Sequence, residues 1–347
     1  MVKEIKSNKI YSVKNEMKYI DLFSGAGGFS LGFDQTGFQN VFSVDVNPSF
    51  CETYKFNFPE HLLIEKDLCD LSNIEIEALT GDEAIDVIIG GPPCQGFSIA
   101  GNIGRKFVDD PRNRLYKEFV RVAKIVKPQF FVMENVARLY THNKGETRHE
   151  IINDFKELGY HVDCKILNAA DYGVPQMRKR AIFIGSLKDL KIEFPQKEVT
   201  KYMSVKQALE GFPKLKSGEQ SNFPNHIAMS HSEQMLRKMS YISDGGNRNE
   251  IPIDLRPKTG DIRKYIKYNS EKPSVCVTGD MRKIFHYGQN RALTVRELAK
   301  LQSFPDDFIF KGNRISQQQQ VGNSVPPLMA VAIAKSIIQM TDDIRKT

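Results

Sequence analysis

The sequence predicts an α/β protein with a mostly parallel sheet, followed by a second, smaller region. Over the first half of the chain, short apolar runs alternate with stretches of helical periodicity, as in strands joined by helices that cover both faces of a sheet. The first apolar run ends in a glycine-rich turn. From about Pro195 to Tyr287 the alternation stops and the chain is rich in Lys, Asn, Gly, Ser and Pro, which indicates an inserted domain or an extended loop region.

The predicted elements follow from the period of the apolar residues. The strands are Tyr19–Phe23, Val41–Val46, Leu62–Ile64, Ile85–Ile89, Phe130–Met133, Tyr160–Leu167 and Ala181–Ile184. The helices are Phe29–Gly37, Ser49–Phe56, Arg114–Val126, Thr147–Leu158, Leu293–Gln302 and Pro326–Met340. Thr147 and Glu150 have the spacing of a capping box, and Gly159 stands where a C-cap glycine is expected. We expect the last helix, which opens with two prolines, to pack back on the first domain.

Composition places the chain among soluble globular proteins. Its 347 residues are 40% hydrophobic and 26% charged, so it can bury a sizeable core. No stretch approaches the roughly 20 apolar residues that span a bilayer. Residues 1–18 are polar and lysine-rich and lack the apolar region of a signal peptide, so we expect a cytoplasmic protein. The expected organisation is an arm at 1–17, a first domain at 18–195, a second at 196–290, and a supporting segment at 291–347 that returns to the first domain.

The five cysteines are scattered and have no CxxC spacing. This pattern argues against a disulfide framework or a zinc site and favours a reducing compartment. No metal-ligand cluster is recognisable elsewhere, and we expect no metal. The cysteines are Cys51, Cys69, Cys94, Cys164 and Cys276.

The net charge of +7 is concentrated in one part of the chain. Residues 196–290 hold 16 Lys and Arg against 10 Asp and Glu, whereas the rest of the chain holds 33 against 32. A basic segment on a neutral body is typical of a nucleic-acid surface, although a solvated lysine-rich face has the same composition.

A glycine turn and two later acids indicate a nucleoside site. The turn at Asp21–Gly28 reads DLFSGAGG and lies between a strand and a helix, where amide groups can meet a ligand. It is not the GxGxxG form that binds a pyrophosphate. Asp45 ends the second strand, where a carboxylate can accept ribose hydroxyls, and Asp67 follows the third, within reach of an adenine amino group. With Phe23 packed on the purine, these positions indicate an adenosine cofactor without phosphates; each acid alone is as compatible with a surface carboxylate or a helix cap.

The most specific segment is Gly90–Ser98, which reads GGPPCQGFS and follows an apolar strand. It places Cys94 at the carboxyl edge of the sheet, where a thiol with a lowered pKa is a good nucleophile. A thiolate that adds to C6 of cytosine makes C5 nucleophilic, and the addition is easier when an acid protonates or hydrogen-bonds to N3. Glu134 follows the fifth strand on the same edge and can fill that role, although alone it is equally a capping or ion-pairing residue.

Gln176–Arg180 is a basic cluster, QMRKR, that precedes a strand. Arg178 and Arg180 have the same side-chain parity, so an extended backbone directs them to one side. There they can orient Glu134, hold the pyrimidine O2 or meet phosphates. The alternative is an ordinary basic surface turn.

The chain closely resembles the DNA (cytosine-5) methyltransferases of bacterial restriction-modification systems. The resemblance covers nearly the whole chain outside the variable middle segment and rests on six motifs in the family's order. They are DLFSGAGG at Asp21–Gly28, GGPPCQGFS at Gly90–Ser98, MENV at Met133–Val136, QMRKR at Gln176–Arg180, RALTVRELAKLQSFPDDF at Arg291–Phe308 and VGNSVPP at Val321–Pro327.

The resemblance implies a Rossmann-like S-adenosylmethionine-dependent domain and a role for each matching residue. Cys94 matches the nucleophile, Glu134 the residue on cytosine N3 and N4, and Arg178 and Arg180 the arginines of the base pocket, with Arg180 at O2. Asp45 stands where the family often has glutamate on the ribose, and the shorter side chain puts that contact in doubt. The implied cofactor contacts are Phe23, Gly25, Ala26, Gly27, Gly28, Asp45, Val46, Asp67, Leu68, Pro92, Leu115, Asn323 and Val325.

The resemblance also implies that residues 196–290 form a target-recognition domain on the major groove of double-stranded DNA, with the positive charge on phosphates. A loop from Ser98 to Arg114 is expected to close over an extruded cytosine. The expected DNA contacts are Gln95, Ser98, Arg105 and, with a loop arginine as the alternative, Arg248. We expect a monomer, because recognition by one variable domain needs no dimer; a separate cognate restriction endonuclease is left open.

Three other functions share part of this pattern. A tRNA cytosine-5 methyltransferase shares the motifs, but that branch usually has a Cys-Phe-Thr signature in the variable region, and this sequence has none. A catalytically silent DNA-binding homologue is disfavoured because Cys94, Glu134, Arg178 and Arg180 are intact. A nicotinamide-dependent dehydrogenase is disfavoured because the turn lacks GxGxxG.

Overall fold

A seven-stranded sheet forms the centre of the protein. The structure, a computed structural model, describes residues 17–93, 115–257 and 264–346. The sheet strands are β1 (Lys18–Leu22), β2 (Gln39–Asp45), β3 (Leu63–Glu65), β4 (Val87–Gly90), β5 (Phe130–Val136), β6 (His161–Asn168) and β7 (Lys179–Ser186). Their order is β3-β2-β1-β4-β5-β7-β6. The pairs among β1 to β5 are parallel, and β7 is antiparallel to β5 and β6, so the prediction of a mostly parallel α/β sheet is confirmed.

The direction of β7 determines what meets at the ligand edge of the sheet. Parallel strands bring their carboxyl ends to one edge, where open α/β folds bind ligands. Since β7 runs the other way, its first residues reach that same edge, and Arg180 pairs with Val136 at the end of β5. Strand β7 begins at Lys179, so the basic cluster Gln176–Arg180 overlaps its start instead of preceding it, and lies beside the residues that end β5.

Ten α-helices lie among the described residues. They are α1 (Gly28–Asp34), α2 (Pro48–Asn57), α3 (Asn73–Thr80), α4 (Leu115–Val126), α5 (Glu146–Lys156), α6 (Val205–Leu209), α7 (Glu233–Ser240), α8 (Val295–Leu301), α9 (Arg314–Asn323) and α10 (Pro327–Lys346). All six predicted helices are found with shifted ends, whereas α3, α9 and the short α6 and α7 were not predicted.

Both faces of the sheet are covered, because successive strand residues point to opposite sides. Val87, Ile89 and Val132 pack in one apolar cluster with residues of α1 and α10. Ile88 and Phe131 pack in another with residues of α4 and α5. The last helix thus returns to the sheet, as expected. Burial of this apolar area contributes most of the free energy that holds the helices of both faces on the sheet.

Two local predictions are wrong. Helix α5 begins at Glu146 after an N-cap at Gly145, so Thr147 does not cap it; its hydroxyl lies 2.7 Å from Nδ1 of His142 instead. Strand β5 continues three residues past Met133, so Glu134 lies within the strand and not after it. The antiparallel pairing with β7 extends to Val136 and keeps this segment extended.

The region after β7 has little regular structure, as its composition indicates. Besides α6 and α7 it forms a two-stranded sheet of β8 (Ile266–Lys267) and β9 (Ile284–Phe285). Its own core is small and is formed by Met239, Ile242, Ile251, Tyr265, Phe285 and Ala292. A larger cluster joins it to the first domain, since Tyr54 and Phe58 of the α2 segment share a core with Val205, Val277 and Leu298.

One stretch, Arg314–Lys346, is long and apolar enough to cross a membrane by length and composition. Of its most apolar window, 72% is buried inside the protein. This is what the core helix of a globular protein also gives. The sequence has no continuous apolar run of about 20 residues, as expected, but the mean hydropathy of one window within Arg314–Lys346 does reach the level of a membrane-spanning helix.

Candidate active site

A cavity of about 560 Å³ lies at the carboxyl edge of the sheet. Residues from the ends of β1, β2, β4 and β5 line it together with residues that precede β7 and follow α9. Of the residues predicted for the site, it is lined by Phe23, Gly25, Ala26, Gly28, Asp45, Val46, Asp67, Leu68, Pro92, Leu115, Glu134, Arg178, Arg180, Asn323 and Val325. The fold thus collects in one place residues that are up to about 300 positions apart in the chain.

Six predicted residues are not among the described residues that line the cavity. Cys94, Gln95, Ser98 and Arg105 lie outside the described residues. Arg248 opens a short helical turn, Arg248–Glu250, that Asn247 caps, and it is not among the lining residues. Gly27 supports the turn from behind. Its φ of +90° favours glycine, and a Cβ there would lie 2.3 Å from the Phe58 ring.

Asp45 ties the glycine turn to the second strand. Its Oδ2 accepts a hydrogen bond from Gly25 N at 2.8 Å, and its Oδ1 accepts one from Asn47 N at 2.8 Å. Burial raises the pKa of this carboxyl, and the two amide bonds oppose that rise. The short aspartate side chain is therefore positioned by the backbone on both sides, and its remaining lone pairs are available to hydroxyl groups in the cavity.

Phe23 lines the cavity in a conformation that non-glycine residues rarely adopt. Its φ is +62°, in the left-handed region, which costs on the order of 1 kcal/mol or more and persists only where the surroundings fix it. Asp67 serves as the cap of a helical turn, because its Oδ1 accepts from Cys69 N at 2.9 Å. The capping alternative for Asp67 is thus realised, while the residue also lines the cavity.

Asp21 was quoted in the glycine motif but not assigned to the site, and it lines the cavity too. It is the one acid in the apolar strand β1, which could have marked it. Its Oδ2 accepts from Ser30 Oγ at 2.6 Å, whereas Oδ1 is buried without a hydrogen-bond partner among the described residues. Burial raises the pKa of Asp21 to about 8. A buried oxygen of this kind is costly unless a proton or a ligand satisfies it.

Glu134 and Arg180 form an ion pair inside the cavity. Nε of Arg180 lies 2.7 Å from Oε1 of Glu134, and only 13% and 11% of their side chains are exposed. The entry to the cysteine loop runs next to the other oxygen: a Cβ on Gly91 would lie 3.2 Å from Oε2 of Glu134. Nδ2 of Asn135, which was not predicted, donates to Pro92 O at 3.2 Å. The segment that leads to Cys94 is therefore fixed against Glu134.

Arg178 has a different environment from Arg180. It is 1% exposed and donates to the carbonyl oxygens of Val277, Gly322 and Ser324 at 3.0–3.1 Å. Among the described residues its Nε has no hydrogen-bond partner. Burial, and then the charge of Arg180, lower the pKa of Arg178 to about 10. Arg178 thus joins β7 to two segments that sequence reasoning did not connect, and no hydrogen bond to Glu134 is found for it.

The end of α9 and the two residues after it form another part of the cavity wall. Gly322, Asn323, Ser324 and Val325 line it, and Gln320 is buried next to them. Nε2 of Gln302 donates to Val321 O at 2.7 Å, and Gln320 bonds to Ser49, Thr53 and Lys311. Gln320, in the run of four glutamines at Gln317–Gln320, therefore anchors α9 on α2. No apolar periodicity in the sequence predicts this helix.

The fold and the position of the cavity define a Rossmann-like methyltransferase. A crystal structure of a DNA modification methyltransferase encoded within a prophage of E. coli superposes with a TM-score of 0.77 at 28% identity, over 94% of this chain and all of that one. The family model for C-5 cytosine-specific DNA methylases matches residues 17–339. The chain belongs to this family and is a DNA (cytosine-5)-methyltransferase.

Bacterial relatives agree with the assignment. The type II methyltransferase M1.HphI of Haemophilus parahaemolyticus is 61% identical over 324 residues, which cover 93% of this chain and 87% of that protein. The type II methyltransferase M.DdeI of Desulfomicrobium norvegicum is 36% identical over 92% of this chain and 88% of that protein. The resemblance to bacterial restriction-modification enzymes that the six motifs predicted is confirmed.

Proposed function

We propose that the protein methylates C5 of one cytosine within a specific short sequence of duplex DNA, using S-adenosylmethionine and a covalent bond between Cys94 and cytosine C6. The observation that carries the proposal is the approach to Glu134 of the segment just ahead of Cys94. Gly91 and Pro92, just ahead of Cys94, lie against Glu134 and Asn135 in the same cavity as the glycine turn. Since Cys94 directly follows Pro93, it would add a nucleophile to the carboxyl group and the proposed cofactor site of this cavity, and these are the parts this reaction needs.

S-adenosylmethionine fits the described part of the cavity. Its volume of about 560 Å³ is within the range of about 300–1,000 Å³ that small-ligand sites have. Asp45 would accept from the ribose hydroxyls, Asp67 would meet the adenine amino group, and Phe23 would pack on the purine. The glycine turn and residues 323–325 would hold the methionine end, where the buried Oδ1 of Asp21 has no partner among the described residues. The bound cofactor supplies the methyl group.

The protein's own groups prepare the cytosine. Addition of the Cys94 thiolate to C6 moves electron density to C5. Glu134 stabilises N3 and N4 of the cytosine. Arg180 keeps the carboxyl group of Glu134 in place, and the remaining N–H groups of Arg180 can donate to the cytosine O2. After the transfer, water or hydroxide removes the C5 proton and Cys94 leaves. The partly buried setting strengthens each of these electrostatic contacts.

DNA is expected to bind between residues 18–195 and residues 196–290, the proposed target-recognition domain, with 291–347 as its support. The excess of positive charge in 196–290 would lie on phosphates. Gln95, Ser98 and Arg105 of the loop to Arg114, and Arg248, remain proposed DNA contacts. We further propose a cytoplasmic monomer, without an obligate protein partner, whose cognate restriction endonuclease would act separately.

Expression in methylation-free bacteria tests the proposal. Bisulfite sequencing of the resident plasmid should show protected cytosines within one recurring short sequence, and Cys94→Ser should abolish the protection while leaving cofactor binding. Unchanged protection in the variant would refute the assignment of the nucleophile. Soluble protein that binds S-adenosylmethionine but protects no cytosine would favour a tRNA substrate or a silent binding protein, which competition between tRNA and duplex DNA would separate.

A further inference from the structure

Cys276 comes from the variable segment, and its sulfur contacts two arginines that line the cavity, Arg178 and Arg180. Its neighbours are fixed to the strand that carries the arginines: Met177 N donates to Ser274 O at 2.8 Å, and Val277 N donates to Oε1 of Gln176 at 2.8 Å. The Gln176 side chain is fully buried and bonds further to Leu301 O and Gln302. The backbone around Cys276 is therefore held in register with Arg178 and Arg180.

The sulfur lies between the two guanidinium groups. Sγ is 3.5 Å from Nη1 of Arg178 and 3.9 Å from both Nη atoms of Arg180. Arg180 is thus contacted from two sides, by Oε1 of Glu134 at its Nε and by Cys276 at its terminal nitrogens. Arg180 also donates from Nη1 to the carbonyl oxygen of Lys179 at 2.8 Å.

The charges in this cluster favour a polarised or ionised sulfur. Two guanidinium groups face one carboxylate, and a buried charge without compensation is costly. Burial alone would raise the pKa of Cys276, but Arg178 and Arg180 together lower it below its ordinary value. The other titratable group that faces the sulfur among the described residues is Tyr268, whose pKa is raised by burial and by the charge of Cys276.

We propose that Cys276 is a positioning residue for methyl transfer: its sulfur, held between Arg178 and Arg180, keeps Arg180 oriented on Glu134. The inference rests on the proposed role of Glu134 toward cytosine. Without the sulfur, the terminal nitrogens of Arg180 lose a shared acceptor, and the guanidinium can rotate away from Glu134. A displacement of about 1 Å at a reacting group is enough to cost up to about a hundredfold in rate.

Three variants test the proposal kinetically. Cys276→Ala should lower kcat about tenfold with little change in KM for S-adenosylmethionine, and Cys276→Ser, which retains an acceptor, should recover part of the loss. Val275→Ala is the matched control in the same segment, since Val275 is 54% exposed and should leave kcat unchanged. The pH dependence of kcat should also differ, because serine cannot ionise in the range where a thiol does. Equal kcat and equal pH profiles in all variants would overturn the proposal.

An alkylation experiment separates this inference from the proposed function. Iodoacetamide labelling of the full-length protein at several pH values, read by peptide mass spectrometry, reports the ionisation of each thiol without any methylation assay. Cys276 should reach half of its maximal rate at a pH below the ordinary pKa of a thiol, and Arg180→Ala should move that midpoint upward. Cys69 is an exposed internal reference, and the pKa of its thiol is raised to about 11 by burial and by Asp67.

The outcomes are distinct. A low midpoint that Arg180→Ala raises supports the cluster even if the protein methylates no DNA, in which case the proposed function fails alone. A midpoint that is no lower than the ordinary pKa of a thiol, and that Arg180→Ala leaves unchanged, overturns the inference, whether or not cytosines are methylated.

Discussion

Glu134 and Arg180 are diagonal neighbours on one face of the sheet, and Nε of Arg180 lies 2.7 Å from Oε1 of Glu134. The antiparallel register places Arg180 opposite Val136, two residues beyond Glu134, so both side chains project to the same side. The arginine fixes the carboxyl group in one rotamer at the wall of the cavity. This relationship leads to the first prediction.

Glu134→Gln should lower kcat for DNA methylation by about 10²-fold or more, the range for loss of a positioned acid–base group. The amide offers no carboxyl group to N3, and it cannot form the ion pair with Arg180. Single-turnover methylation measures the effect, with cofactor affinity followed by calorimetry. Glu77→Gln, at an exposed position of α3, is the control. Turnover within twofold of the unmodified enzyme would exclude a role for Glu134 in the chemistry.

Asp45→Ala should weaken S-adenosylmethionine binding by about 10- to 100-fold, because it removes the acceptor for Gly25 N and Asn47 N as well as the proposed ribose contact. Asp45→Asn, which keeps one acceptor oxygen, should fall between. Isothermal calorimetry measures both, and Asp189→Asn, at a side chain that is 92% exposed, provides the control. Affinity unchanged in Asp45→Ala would place the ribose elsewhere in the cavity.

Asp21→Asn should change how stability depends on pH. Because burial raises the pKa of Asp21 from 3.8 to about 8, its contribution is fully present below pH 3.8 and is lost as the pH rises through about 8. The asparagine variant lacks this loss, so its Tm relative to the unmodified protein should rise between pH 5 and pH 9 by about 3 °C or more.

The Tm of Asp21→Asn must be compared with the Tm of the unmodified protein at each pH. Burial raises the pKa of Asp34 to about 7, so Asp34 titrates in the same pH range in both proteins. Scanning calorimetry without cofactor at pH 5, 7 and 9 provides these Tm values. A difference in Tm that stays constant over the three pH values would mean that Asp21 is already ionised at pH 5.

Gly28→Ala should destabilise the protein by about 1–3 kcal/mol or prevent soluble expression. A Cβ at Gly28 would lie 2.3 Å from the carbonyl oxygen of Val325 and 3.1 Å from the Phe304 ring, so the turn and the segment after α9 would have to separate. Gly288→Ala is the matched control, because its Cβ would meet no atom closer than 4.0 Å. Denaturant unfolding compares the two; equal midpoints would show that the close approach at Gly28 can relax without cost.

Local sequence patterns predicted the sheet well and the polar helices poorly. The strands were recoverable because their apolar residues are consecutive and end where ligands bind. Helix α9 was missed because its buried positions include Gln318 and Gln320, whose burial depends on hydrogen bonds to distant residues and leaves no apolar period. Helix α3 was missed although Ser72 and Glu75 form a capping box that its sequence contains.

The candidate site likewise contains residues that a local pattern predicted and residues that no local pattern predicted. Phe23, Asp45, Asp67 and Glu134 were found because each stands at or near the end of a strand, and strand ends converge in this fold. The roles of Cys94 and its loop remain predictions, since they lie outside the described residues. Cys276 had no local pattern to mark it, because its relation to Arg178 and Arg180 spans 98 and 96 positions.

The sequence by itself determined the α/β class, the order of the sheet's strands along the chain, and the residue types that the chemistry needs. These depend on periodicity and on residues that stand beside one another. Only the tertiary structure decided that β7 runs antiparallel, that Arg180 rather than Arg178 pairs with Glu134, and that Arg178 is buried among three carbonyl groups. Those outcomes depend on which distant segments pack together and on which hydrogen-bond partners their buried polar groups find. The periodicity of a local segment predicts neither.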